Sequence, residues 1–281
     1  MNRPEEIKGR IDNIHEIANI VSTLQALATA HVIEVRAHLK SIRAHETHIA
    51  NALSTALSLM SVEPAPALKG AGVVVVVGAS QGFCGGYSDR LADAALAEAA
   101  KGRKLMVAGA RTAGALTERG IEPIWYEDMA PHARDVPRLA TRLVDALFGH
   151  LVEAPGAPVT VLFADPASAP ALIRRSVLPF DFTRFSRAPG KNVLITLPVP
   201  RLVAALVEEY VFAEFCEALM LGFAAENGAR AEAMARAKSN VSRIATDLKA
   251  EFQRARQEQM TTEIIELSAA AATNPRWFGD A

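Results

Sequence analysis

Cysteine is scarce in this chain: its 281 residues hold two, Cys84 and Cys216, with no CxxC pair and no metal-ligand spacing. That fits a reducing compartment better than a disulfide framework. An excess of one charge is missing too, since 30 basic residues stand against 31 acidic ones. The balance favours neither nucleic acid nor an anionic membrane as partner. No run of roughly 18 apolar residues is present to span a bilayer, and the opening MNRPEEIKGRIDNIHEI has no signal-peptide apolar core. The expectation is a cytoplasmic protein without cofactor or metal, with any membrane association made through partners.

Glycine and proline are absent where their absence is most informative. Neither occurs between Gly9 and Pro64, nor between Gly228 and Pro275. Such breaker-free stretches, rich in Ala, Leu, Glu, Arg and Ile, permit very long helices. In the first, steps of three and four residues run through Ile11, Ile14, Ala18, Val21, Gln25, Ala28, Val32, Val35, Leu39, Ile42, Glu46, Ile49, Leu53, Ala56 and Met60. Only Gln25 and Glu46 interrupt this coiled-coil seam. A second stripe, Ile17, Ile20, Leu24 and Leu27, gives the early part of the helix two apolar faces and hence two neighbours. The other arm repeats the pattern less strictly, through Tyr210, Ala213, Met220, Met234, Val241, Ile244 and Leu248, then slips from Phe252 toward Ile264 and Leu267 as a stutter would. Gly222 and Gly228 either break this helix or mark a close approach to the first arm. At 1.5 Å per residue the first arm would measure about 80 Å, too long to fold into a ball. An antiparallel coiled coil of the two arms is the economical arrangement.

Between the arms, strand and helix patterns alternate. VVVVV at 73–77, KLMVAG, PIWYE and VTVLFAD read as strands, with helices over 88–101, 111–119 and 137–152. This is the pattern of a small Rossmann-like parallel sheet, so the fold class is α/β. RRSVLPF and NVLIT are candidates for further strands. The domains are a coiled-coil helix over 1–62, an α/β domain over 70–198, a second coiled-coil helix over 200–272, and a tail over 273–281.

The loop GASQGFCGGY (78–87) sits between a strand and a helix, where backbone amides can hold a phosphate. Its spacing is neither GxGxxG nor GxxxxGK[ST], and it has no lysine. Cys84 at a helix start could be a nucleophile, but no base lies nearby in sequence, and a free cysteine packs mostly as a small hydrophobe. His31, His38 and His45 are seven residues apart, too far along a helix to share a metal; they read as a polar stripe, with pH response as a second reading. In FQRARQEQMTTEIIEL (252–267), Arg254, Arg256, Gln257, Glu258, Thr261 and Glu263 form either a solvated face or a set of groups reaching carboxylates on another chain.

Taken together, LQALATAHV, GFCGGY, RAEAMARAKSN and FQRARQEQMTTEII, in this order along the whole chain, resemble the gamma subunit of F-type ATP synthase. The resemblance implies a rotor shaft: an antiparallel coiled coil inside a ring of alpha and beta subunits, and an α/β domain meeting the epsilon subunit and the membrane rotor c-ring. It implies no catalytic residue in this chain, because nucleotide chemistry belongs to the beta subunits. The contacts it implies are Cys84, Gly85 and Gly86 near the rim of the catalytic ring, Arg256, Gln257 and Thr261 at beta-subunit loops, and Ile264, Ile265, Leu267 and the alanines 269–272 at a slippery tip. The location it implies is the cytoplasmic face of the inner membrane, peripheral, through the complex. The chain departs from the family at Asn19, Ser22 and His31, where lysines are usual, and in its loop lead-in. These departures point to a divergent bacterial member, such as one of an alternative sodium-type ATPase. The rival classes are an α/β enzyme using the Cys84 loop and an unrelated coiled-coil adaptor.

Overall fold

The computed structural model describes residues 4–59, 70–167, 172–185 and 194–273. Residues 274–281 of the expected tail, seam position Met60 and the first two residues of NVLIT lie outside them. The chain divides into two units, one of Leu27–Ala233 and one of Met1–Ala26 with Met234–Ala281. Helix α1 covers Pro4–Leu57, and α5 covers Val199–Thr273.

In the Leu27–Ala233 unit, β1 (Val73–Val77), β2 (Lys104–Ala108), β3 (Trp125–Glu127), β4 (Val159–Ala164) and β5 (Leu172–Leu178) form one sheet in the order β3-β2-β1-β4-β5. Helices α2 (Tyr87–Ala99), α3 (Ala110–Thr117) and α4 (Val136–Glu153) alternate with the strands. The five valines of β1 are all fully buried, as a central strand covered on both faces requires. Val73, Val75 and Val77 pack with α4, with Val211 to Ala224 of α5 and with Val35 of α1. Val74 and Val76 pack with α2 and α3 on the opposite face.

The parallel reading holds for β1 to β4, whereas β5 runs antiparallel to β4. The seven residues 165–171 between them are too few for the crossover of a dozen or so that a parallel pair demands. RRSVLPF thus contributes a strand, but NVLIT does not in its described part: Leu194 and Ile195 lie outside any strand, and Leu194 is exposed.

Helix α5 runs unbroken through both glycines. The close approach at Gly222 is to the sheet and not to the first arm, for a Cβ there would lie 2.3 Å from Val77 Cγ1. Within this unit α1 and α5 run antiparallel, since His45 meets Glu209 at 2.9 Å, Arg43 meets Glu217 at 2.7 Å and His31 meets Asn227 at 3.3 Å. The seam break at Glu46 has a local reason: its carboxylate accepts a 2.8 Å hydrogen bond from the Tyr210 hydroxyl.

In the other unit, the buried apolar side chains among the described residues are Ile7, Val21, Met234 and Leu248. The start of α1 (Pro4, Glu5, Ile7) lines an open groove with Glu251 to Glu266 of α5. From Arg256 to Ala270 every side chain of α5 is exposed. The apolar residues Ile264, Ile265 and Leu267 therefore form no buried seam among the described residues. Among the described residues no helix is long and apolar enough to cross a membrane.

Candidate functional site

The glycine loop owes its shape to packing. Gly78 ends β1 beside Thr112 of α3, and a Cβ on it would lie 2.5 Å from the Thr112 Cβ and Oγ1. Thr112 Oγ1 accepts the Ala79 N–H at 2.9 Å and meets Ser88 Oγ at 3.1 Å. Gly109, at φ +129, lets β2 touch the same turn, where a side chain would come within 2.8 Å of Gly78 and Ala79 backbone atoms. The Thr112 side chain thus packs directly against the turn after β1 and takes up one of its backbone N–H groups.

The rest of the loop is fastened to α5. Glu226 accepts the Gln81 N–H at 3.2 Å and pairs with Arg230. Arg230 in turn donates to Gly82 O at 3.2 Å, Gln81 O at 3.4 Å and Asn227 Oδ1 at 2.9 Å. The Tyr87 hydroxyl donates to Gly222 O at 3.4 Å. Glu226, Asn227 and Arg230 are all buried, so this is an ion pair removed from water and compensated by directed hydrogen bonds.

Cys84 is buried and its thiol donates to Gln81 O at 3.6 Å. Burial first, then the Glu226 carboxylate, push the thiol's pKa up, outweighing the lowering by backbone N–H groups and Arg230. The group is held as a thiol, which is not the nucleophilic form. The loop shows Gln81, Gly85, Gly86 and, above all, Phe83 to solvent, and Phe83 is 71% exposed in the left-handed backbone region at φ +62. A large aromatic residue held there in an unfavourable conformation, facing water, is a feature that the sequence reading passed over. The positive φ leaves no trace in the sequence, and neither does the anchoring role of Glu226, Asn227 and Arg230. Their one signal is three polar residues inside an otherwise apolar stretch of α5.

The second predicted set lies in the other unit, on α5. Arg256, Gln257 and Thr261 are exposed, and Thr261 Oγ1 donates to Gln257 O at 2.8 Å within its own helix. Among the described residues Arg256 makes no ion pair. Ile264 and Leu267 are 62% and 72% exposed. The Ile17 and Ile20 side chains of the second stripe are exposed as well.

The Leu27–Ala233 unit thus belongs to the class of α/β folds in which an antiparallel pair of helices packs on a five-stranded sheet. A family model described as ATP synthase matches residues 3–273, and the chain belongs to that family. Similar curated proteins include the ATP synthase gamma chain of Erythrobacter litoralis, 25% identical over 95% of this chain and 98% of that one. The ATP synthase gamma chain of Saccharopolyspora erythraea is 27% identical over 95% and 96%. Among solved structures, a chain of the Euglena gracilis mitochondrial ATP synthase OSCP/F1/c-ring assembly superposes with a TM-score of 0.63 at 12% identity, covering 99% of this chain and 97% of that one. At that identity the likeness speaks for the fold.

Proposed function

We propose that this chain is the central rotor shaft of an F-type ATP synthase, coupling ion-driven rotation to the conformational cycle of the catalytic beta subunits. The observation that carries the reading is the match along residues 3–273, with gamma chains as whole-length relatives. The geometry supports it. A shaft that drives a cycle must contact each conformer of its surroundings differently. It needs side chains pointing outward, which Arg256, Gln257, Thr261, Ile264 and Leu267 supply.

In this reading Arg256 and Gln257 offer charge-assisted and amide hydrogen bonds to beta-subunit loops, the charge-assisted ones worth about 1.5 to 3 kcal/mol when partly buried. Ile264 and Leu267 offer apolar surface with no directed bonds, suiting a bearing. The Cys84, Gly85 and Gly86 loop meets the rim of the alpha and beta ring through Phe83 and the two glycines, with Cys84 as its internal peg. The epsilon subunit and the membrane c-ring bind the α/β part, which holds the protein on the cytoplasmic face of the inner membrane. No catalytic group is assigned to this chain, and ATP chemistry belongs to the beta subunits.

The test is co-expression with the host's alpha and beta subunits, followed by mass determination and an ATPase assay. One copy of this chain per three alpha and three beta, with hydrolysis dependent on its presence, is the expected result. A ring that forms and turns over without it would refute the proposal.

A further inference from the structure

In the Leu27–Ala233 unit, His31 and Glu34 lie one turn apart on α1, and His132 comes from the segment between β3 and α4. One ligand atom from each lies within 4.8 Å of the other two. The imidazoles of His31 and His132 meet edge to face at 5.8 Å between centroids. In sequence His31, His38 and His45 are too widely spaced to share an ion; the fold supplies His31 with a second imidazole from about 100 residues away in the chain.

The hydrogen bonds behind His31 fix its tautomer. Asn227 Nδ2 donates to Phe223 O at 2.9 Å, and Asn227 Oδ1 accepts from the Arg230 guanidinium at 2.9 Å, so the atom facing His31 Nδ1 at 3.3 Å is an acceptor. His31 Nδ1 is therefore the donor in this bond, and in the neutral ring the lone pair lies on Nε2. A ligating histidine whose second nitrogen donates to a fixed oxygen is the usual outer-shell arrangement of protein metal sites. The ring is also wedged against Phe223 at 5.4 Å, which restricts its rotation.

We propose that His31, Glu34 and His132 form a binding site for a first-row divalent cation of the zinc type, joining α1 to the segment before α4. Two imidazoles and a carboxylate are the donor set such ions take, with a water completing four-coordination. Metal–ligand bonds of about 2.0 to 2.2 Å place ligand atoms roughly 3.3 Å apart, so binding requires a closure of up to about 1.5 Å. His132 is exposed and Glu34 is half-buried on a flexible stem, so both have room to move. His38, whose Nε2 is 3.9 Å from the Glu34 carboxylate, competes for that carboxylate in the metal-free form.

The experiment uses the full-length chain, stripped with a chelator and titrated with Zn2+ by calorimetry, with Co2+ absorption reporting coordination. One ion per chain is expected, with His132→Ala and Glu34→Gln each weakening affinity by about tenfold or more and His45→Ala leaving it unchanged. The thermal midpoint of the unaltered chain should rise with Zn2+, and that of His132→Ala should not. Both altered side chains are at least partly solvent-facing, and circular dichroism checks that each variant folds. Absence of saturable binding, or a His132→Ala chain that binds as tightly as the original, would overturn the site and leave the histidine pair as a packing contact.

Discussion

The glycine loop and the exposed stretch of α5 from Arg256 to Leu267 contain the same kinds of residue put to opposite uses. Around the loop, Arg230 and Glu226 are buried and spend their hydrogen-bonding capacity on their own chain. In the exposed stretch, Arg256 and Gln257 face solvent, and the bonds made are local ones such as Gln259 to Glu263 at 2.8 Å. The first region is built to hold a shape, whereas the second leaves its side chains to solvent. Low self-contact is what a surface needs if it is to meet several partner conformations in turn.

The sharpest way to break this comparison is to remove one arginine from each region. Arg230→Met leaves Glu226 buried without its partner and frees the Gln81 and Gly82 carbonyls, at an expected cost of about 3 to 5 kcal/mol. Arg256→Met, in an exposed position, should change stability by less than about 0.5 kcal/mol. Urea unfolding of the isolated chain measures both, and equal costs would mean that the regions do not differ in the way the structure indicates.

A smaller effect is expected at Gly222. The new Cβ of Gly222→Ala meets Val77, a fully buried strand residue with no free volume to retreat into. Overpacking of this kind costs about 1 to 3 kcal/mol. The same substitution at Gly228, where nothing lies within 4 Å, should stabilise α5 by up to about 1 kcal/mol through helix propensity. Thermal midpoints that moved in the same direction for both would show that α5 does not press on β1.

Acid should loosen the Leu27–Ala233 unit through two carboxylates. Burial raises the pKa of Glu217, but hydrogen bonds from Arg175 and Arg43 more than reverse it, and the group ends below its usual value. Glu98 is likewise lowered, burial being outweighed by Lys101, Arg174 and Arg103. A depressed folded pKa gives stability that is present above the unfolded value, about 4.3, and is lost as pH falls through the folded one. Glu214 has the opposite sign: burial raises it above the usual value despite Arg184, which offsets part of the loss. Stability measured downward from pH 6 should therefore fall mainly below about pH 4.3, and Glu217→Gln should flatten the fall.

Much of the fold was legible because it rests on periodicity and on breakers. The seam residues Val21, Ala28, Val35, Ile49, Leu53 and Ala56 are all buried, as the three-and-four spacing demands, and VVVVV could hardly be anything but a central strand. The direction of β5 was less accessible, because it depends on the length of a connection and not on the composition of the strand. The anchoring of the loop was not legible at all, since Gln81 and Glu226 are 145 positions apart and nothing local in either stretch signals the other. The glycines showed the same limit. Their presence marks close approaches, but only the folded chain shows that Thr112, Ala79 and Val77 are what they approach.

Small stability effects are expected at two adjacent loop residues, Phe83 and Cys84, and they separate a contact surface from a reactive site. Cys84→Ala removes a buried sulfur and leaves a small void, costing about 1 kcal/mol. Since the thiol is held protonated, the substitution should leave the ATPase rate of the assembled complex unchanged. Phe83→Ala removes a ring that buries little against its own chain and keeps the same backbone, so the isolated chain should unfold within about 0.5 kcal/mol of the original. If the loop touches a partner, however, an exposed aromatic residue is the kind of anchor that dominates an interface, and its loss should weaken assembly or coupling by about 2 kcal/mol, roughly thirtyfold in affinity. The reverse pattern, with activity lost at Cys84 and untouched at Phe83, would mean that the loop does chemistry and that its outward-facing ring is incidental.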